Sequence, residues 1–321
     1  MVQSITHILS TLTPIYAILI LGALLRHIGF ISAELAKGLN KLIFNIALPC
    51  LITASIAAAP IAPDWERSTL ALMSATISIF AISWLIAPII GISKFSRPAF
   101  VQAVFRSNNA YIGLPVMQFA FAGRADLTEM LSLAMLTLAP CLILYNVLAV
   151  AILTKTDKNG SLAKQSVNLL KGIAKNPLII GCISGLAGLF LRVKYNLTAP
   201  DALAKTITTL GAMATPGSIL ALGAALTPAI LRANISGAHW TVLLKLVVTP
   251  LLGLAFAMLL NLPPIHRFVV LCYLACPSAV ASFIMAQAMG GDADIAGSSV
   301  ALTTIYSFIS LAAVLLWAMP G

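Results

Sequence analysis

Long apolar stretches follow one another along this chain with only short polar gaps between them. Ten of them approach the roughly 20 residues that a helix needs to cross about 30 Å of hydrocarbon. They run over 5–25, 39–59, 69–90, 100–122, 127–153, 177–191, 203–226, 240–260, 268–289 and 295–317. No run alternates with period two, and all are too long for barrel strands. The pattern therefore predicts helices, which satisfy their own backbone polar groups in lipid. The expected fold class is an all-α integral membrane protein with ten transmembrane helices.

The longest polar interruption, "KTDKNGSLAKQSVNLLKGIAKN", divides the ten runs into five and five. The halves echo one another in order. "APIIG" (87–91) is answered by "TPLLG" (249–253), and "GRADL" (123–127) by "GDADI" (291–295). Pro49 is answered by Pro216, and Pro14 with Gly22 by Pro177 with Gly185. A repeat with five crossings must enter the membrane from the opposite side the second time. The expected organisation is a first five-helix repeat at 1–153, a cytoplasmic linker at 154–176 and an inverted second repeat at 177–321. Inverted repeats with broken helices are an architecture of secondary transporters, whose substrate lies near the midplane.

Composition sharpens this picture. Hydrophobic residues make up 60% of the 321 and charged residues 9%, with mean hydropathy +1.02. Little chain remains for a soluble domain. The net charge of +10 is a matter of topology, not of nucleic acid. Counted in alternate loops, eleven Lys and Arg fall on one side and six on the other. That excess puts the first set in the cytoplasm and both termini outside, in what is expected to be a bacterial inner membrane. The start of the chain has no basic region or small-residue cleavage site, so an uncleaved first helix is expected. The five cysteines all fall in apolar runs, where small buried thiols are the reading, without disulfide or metal.

Within the fourth run, "FRSNNAYIGLPVM" sets Arg106, Ser107, Asn108 and Asn109 ahead of Gly113 and Pro115. The ninth carries Pro277 with Ser278 and Ser282. Proline frees a carbonyl by removing a helical bond, and irregular backbone at membrane depth must face protein or a wet cavity. Half-helix N-termini there suit an anion. The candidate substrate-binding residues are Asn108, Asn109, Pro115, Pro277, Ser278, Arg106, Asn45 and Ser282. Arg106 admits two readings, snorkelling to the interface or attraction of an anion. Lys245 is read as snorkelling. Thr215 is expected to face the same cavity as Asn45, with Gln118, Gln287, Tyr145, Asn146, Thr303, Thr304 and Ser307 as further lining. Asp126 with Glu129, and Asp294, read as caps of the fifth and tenth helices. All nine acidic residues lie in expected loops or at helix ends, which disfavours an antiporter built on a buried aspartate.

"LNKLIFNIALPCLI", "FRSNNAYIGLPV" and "ACPSAVASFIMAQAMGGD" through "SLAAVLLW" resemble the auxin efflux carrier family of bacteria and plants. That family sits within the superfamily that includes sodium-coupled bile acid symporters. The resemblance covers essentially the whole chain. It implies a crossover of broken helices four and nine with breaks at Pro115 and Pro277, Asn109 as the carboxylate contact, and elevator-like movement of an organic anion. The long hydrophilic loop of the long plant carriers is missing, which favours malate, malonate or other carboxylates over auxin. The expected partners are a small organic anion, membrane lipid and a second copy of the chain, with no nucleic acid and no cofactor. Coupling to a proton or to sodium stays open. Alternatives are a bile-acid-type symporter, or a channel or receptor of the same fold. No enzyme motif such as HExxH, G-x-S-x-G or a P-loop is present.

Overall fold

The computed structural model describes residues 2–58, 64–153, 175, 177–226 and 234–320. The expected linker at 154–176, with Asp157 and most of its lysines, and Arg232 fall outside these apart from Lys175. Among the described residues the fold is all helical, and its single extended pairing is an isolated antiparallel bridge between Ser107 and Ser278.

In chain order the helices are α1 (Val2–His27), α2 (Ala33–Leu42), α3 (Leu48–Ala58), α4 (Trp65–Ile86), α5 (Arg97–Phe105), α6 (Leu114–Ala120) and α7 (Leu127–Leu153). The second set comprises α8 (Pro177–Tyr195), α9 (Asp201–Ala212), α10 (Ala214–Ala225), α11 (Ile235–Leu243), α12 (Thr249–Leu259), α13 (Pro264–Ala275), α14 (Val280–Ala288) and α15 (Ala293–Ala318). A π turn at Ile43–Ala47 joins α2 to α3, and another at Leu244–Val248 joins α11 to α12. With those pairs and α9–α10 taken as continuous rods, eight helices among the described residues are long and apolar enough to cross a membrane. The fourth and ninth runs are different. Each is two short helices with non-helical backbone between them.

Two layers of contact organise the rods. In one, α3 lies against α8 and α9, and α1 lies against α10. These approaches are close because small residues face backbone. A Cβ on Gly223 would overlap the Leu19 carbonyl oxygen, and one on Gly22 the Leu220 carbonyl oxygen, so α1 and α10 touch main chain to main chain. This is the small-residue packing that replaces hydrophobic drive in lipid. In the other layer, α4, α7, α12 and α15 surround the broken segments.

Several local expectations move. "TPLLG" lies within α12, whereas "APIIG" forms the turn after α4, so that echo does not mark equivalent positions. "GRADL" and "GDADI" both lead directly into a long helix, α7 and α15. Asp292, not Asp294, caps α15: its carboxylate accepts from the Asp294 and Ile295 amides at 3.1 and 3.2 Å. Ahead of α7, the Arg124 guanidinium holds both oxygens of Asp126, at 2.9 and 2.8 Å.

Candidate functional site

The breaks meet. α5 ends at Phe105 and α13 at Ala275, and the two segments that follow pair antiparallel. The Asn108 amide donates to the Pro277 carbonyl at 2.8 Å, and the Ala279 amide donates to the Arg106 carbonyl at 2.9 Å. After the pairing, a π turn at Asn109–Gly113 starts α6, and Val280 starts α14. The fourth run therefore breaks at Arg106–Asn108. Pro115 sits in the first turn of α6, where a proline costs no bond, whereas Pro277 lies inside the break itself.

A helix end leaves carbonyls without partners, and here those of the two half-helix C-termini are met by side chains. Ser278 Oγ donates to the Ala103 carbonyl at 2.6 Å. Ser310 Oγ donates to the Ala275 carbonyl at 2.8 Å, and Lys245 Nζ to the Leu274 carbonyl at 3.3 Å. The Ser278 amide, freed by the break, donates to Thr303 Oγ1 at 3.0 Å. Ser278 is thereby a structural brace of the crossover.

Other polar groups at the same place are not satisfied. Asn108 Nδ2, Asn109 Oδ1, Asn146 Nδ2, Gln102 Oε1 and Ser282 Oγ are buried without a hydrogen-bond partner. An unpaired polar atom in an apolar interior costs about 1–3 kcal/mol. Five such atoms around one crossing suit a polar ligand. Both donors and acceptors are on offer.

Charge is the second feature. Arg106 is 7% exposed, with Nη2 donating to Asn146 Oδ1 at 3.0 Å and Nη1 to Met285 Sδ at 3.1 Å. Lys245 is 0% exposed and donates to the Ser107 hydroxyl. Tyr145 accepts from Asn109 Nδ2 at 3.4 Å. Among the described residues neither cation has a carboxylate partner. Among the described residues the ion pairs are Arg67 with Asp64 and Arg124 with Asp126, both outside the crossover.

Lys245 corrects the snorkelling expectation. Its helix begins at Ile235, five residues before the expected start, so the lysine lies ten residues in. Its stem runs inward to Ser107. The legible signal was the cation itself inside "VLLKLVV", since such residues mark sites by default. Gln102 and Met285 also join the site and carried no sequence signal.

Of the expected site residues, Arg106, Asn108, Asn109, Pro277, Ser278 and Ser282 gather at the crossover, with Pro115 just beyond it. Asn45 does not share their burial. It is exposed in the first π turn, and its amide donates to the Lys41 carbonyl at 2.7 Å. Thr215 donates to Gln118 Oε1 at 2.9 Å, linking α10 to α6. Tyr145, Asn146 and Thr303 belong to the crossover network, while Gln287 is exposed and Ser307 pairs with Tyr16 at 2.9 Å.

A family model described as membrane transport protein matches residues 7–315, nearly the whole chain. The chain belongs to this family, the auxin efflux carriers. It is 23% identical over 308 residues to an uncharacterized transporter of Methanothermobacter thermautotrophicus, covering 94% of this chain and 95% of that protein. It is 20% identical over 299 residues to an uncharacterized transporter of Methanocaldococcus jannaschii, covering 92% and 94%. As a member of the auxin efflux carrier family, the chain is a multi-pass membrane transporter, and the family is one of transporters rather than enzymes. The buried crossover is the part of this transporter where unpaired polar groups gather.

Proposed function

We infer that this transporter is a secondary-active carrier of small organic anions, mono- or dicarboxylates, with its site at the crossover of the fourth and ninth runs. The observation that carries the reading is the pair of buried cations, Arg106 and Lys245, with no carboxylate beside either. A buried charge without a partner is costly, by several kcal/mol even after relaxation. An anion that sits between the two supplies the missing partner. The orphaned amides of Asn108 and Asn146 add donors for a carboxylate, and the N-terminus of α14 adds positive partial charge.

The two interrupted runs and the shared lead-in to α7 and α15 support two inverted repeats of five crossings, 1–153 and 177–321. Pro49 follows the π turn between α2 and α3, and Pro216 follows the junction between α9 and α10, which supports the same pairing. The excess of basic residues in one set of loops supports cytoplasmic placement of that set in an inner membrane, with both termini outside. The site is sealed, since Arg106, Ser107, Asn108, Asn109, Ser278 and Ser282 are all under one-tenth exposed. Release to either side then requires movement, and an elevator-like shift of the crossover past α1, α3, α8, α9 and α10 is the mechanism proposed.

The test is uptake of labelled carboxylates into proteoliposomes. Saturable uptake with counterflow distinguishes a carrier from a channel, and Asn109→Ala is expected to lower uptake at least tenfold. Binding without flux would instead favour a receptor.

A further inference from the structure

Two cations face the crossover, and they differ in what they can do with a proton. Arg106 carries a guanidinium, which stays charged in proteins. Lys245 carries an amine that can exist neutral. Its surroundings are built for either state: the Ser107 hydroxyl can accept from an ammonium or donate to an amine, and the Leu274 carbonyl accepts in both.

The neighbours of Lys245 supply no fixed negative charge. Its π turn packs against α4, α5, α11, α12, α13 and α15. From α13 the facing titratable groups are the thiols of Cys276 and, one turn earlier, Cys272. Tyr273 turns away to donate to the Ala134 carbonyl at 2.8 Å. From the end of α5 comes Arg106, directed to Asn146 and Met285, and from α7 comes Tyr145, which accepts from Asn109 Nδ2 at 3.4 Å. The acids on the packed helices, Glu66 on α4 and Asp294 on α15 with Asp292 as its cap, lie in first turns at helix ends. His239 on α11 is exposed and bonds the Ile235 carbonyl at 2.8 Å.

We propose that Lys245 is the proton carrier of a proton-coupled cycle: its Nζ takes one proton from the aqueous phase as an anion enters the crossover and returns it on the side where the anion leaves. The inference rests on the reading of the crossover as an anion site. With the site empty, a second buried positive charge beside Arg106 has nothing to offset it, and the amine form avoids that cost. With an anion bound, the ammonium form gains an ion pair in a low-dielectric setting. Anion binding and proton uptake are thereby linked and must be reciprocal. The balance is one proton bound to the Nζ lone pair per anion, so a monoanion moves without net charge.

The experiment uses the full chain in proteoliposomes enclosing a pH dye, with protein-free vesicles as background. Labelled malonate, malate, succinate and lactate are the probes, offered with an inward proton gradient. The expected result is uptake of at least one anion with protons arriving inside in step. In Lys245→Met, protons moved per anion fall at least tenfold. In Lys245→Arg, which holds a permanent charge, label still exchanges at a reduced rate but no longer follows the proton gradient. Uptake by the unaltered protein without proton movement, or Lys245→Met that moves protons as before, overturns this inference and leaves the anion site standing. Failure of the unaltered protein to take up or exchange any of the four overturns both.

Discussion

Asn146 Oδ1 accepts from Arg106 Nη2 at 3.0 Å, which fixes a buried guanidinium on α7 while leaving the Asn146 amide nitrogen unpaired. The asparagine thus orients the cation and keeps a donor free beside it. Arg106→Gln is expected to raise the KM for the carried anion by roughly 10- to 100-fold, the range for losing one partner of a desolvated charge pair. Asn146→Leu is expected to weaken uptake less. Initial uptake rates against anion concentration check both.

Ser278, in the extended break, and Ser282, in the first turn of α14, should behave oppositely. Ser278→Ala leaves the Ala103 carbonyl unpaired and is expected to cost about 1–3 kcal/mol of stability. Ser282 has no partner for its hydroxyl, so Ser282→Ala should leave stability unchanged within about 0.5 kcal/mol and show its effect in uptake. Thermal unfolding in detergent, set beside uptake, separates the two.

Gly223→Ala places a methyl group against the Leu19 carbonyl oxygen and must push α1 from α10. A loss of at least ~1–3 kcal/mol is expected, as for overpacked interiors. Gly38→Ala meets nothing within 4 Å, and as a helical position should be neutral or gain up to ~1 kcal/mol. Midpoints of thermal aggregation are a sufficient readout.

The Arg124 guanidinium, bonded to both oxygens of Asp126, holds that carboxyl below its ordinary value of 3.8. A lowered folded value means stability that is present above the unfolded value and lost as pH falls through the folded one. Asp126→Asn should therefore differ from the unaltered protein at neutral pH and converge with it only once the pH has fallen below the lowered folded value. The pair is about one-third exposed, so the difference is expected to stay under ~1 kcal/mol.

Hydrophobic run length was enough to place the spanning rods, because the cost of polar groups in lipid leaves few alternatives. Helix starts were less legible. α2 begins at Ala33 and α11 at Ile235, five or six residues ahead of the apolar runs, because a helix continues into the interface where polar residues are tolerated. Lys245 was misread because an apolar run does not say which way a side chain is directed, and this one is buried against Ser107 and the Leu274 carbonyl. Asn108, Asn109 and Pro277 were legible because amides and a proline inside an apolar run have little reason to be there except at a break. Asn45 was expected to line the cavity, yet it is exposed within the π turn between α2 and α3. Run composition does not encode such a turn.

The paired main chain at Arg106–Asn108 and Pro277–Ala279 also sets how the molecule can deform. Two short bonds tie the halves of both interrupted runs at one point, in a medium where no water waits to replace them. Pulling the runs apart would strip those bonds bare, whereas sliding them together leaves both intact. The two interrupted runs are therefore coupled as one mechanical unit at the crossover.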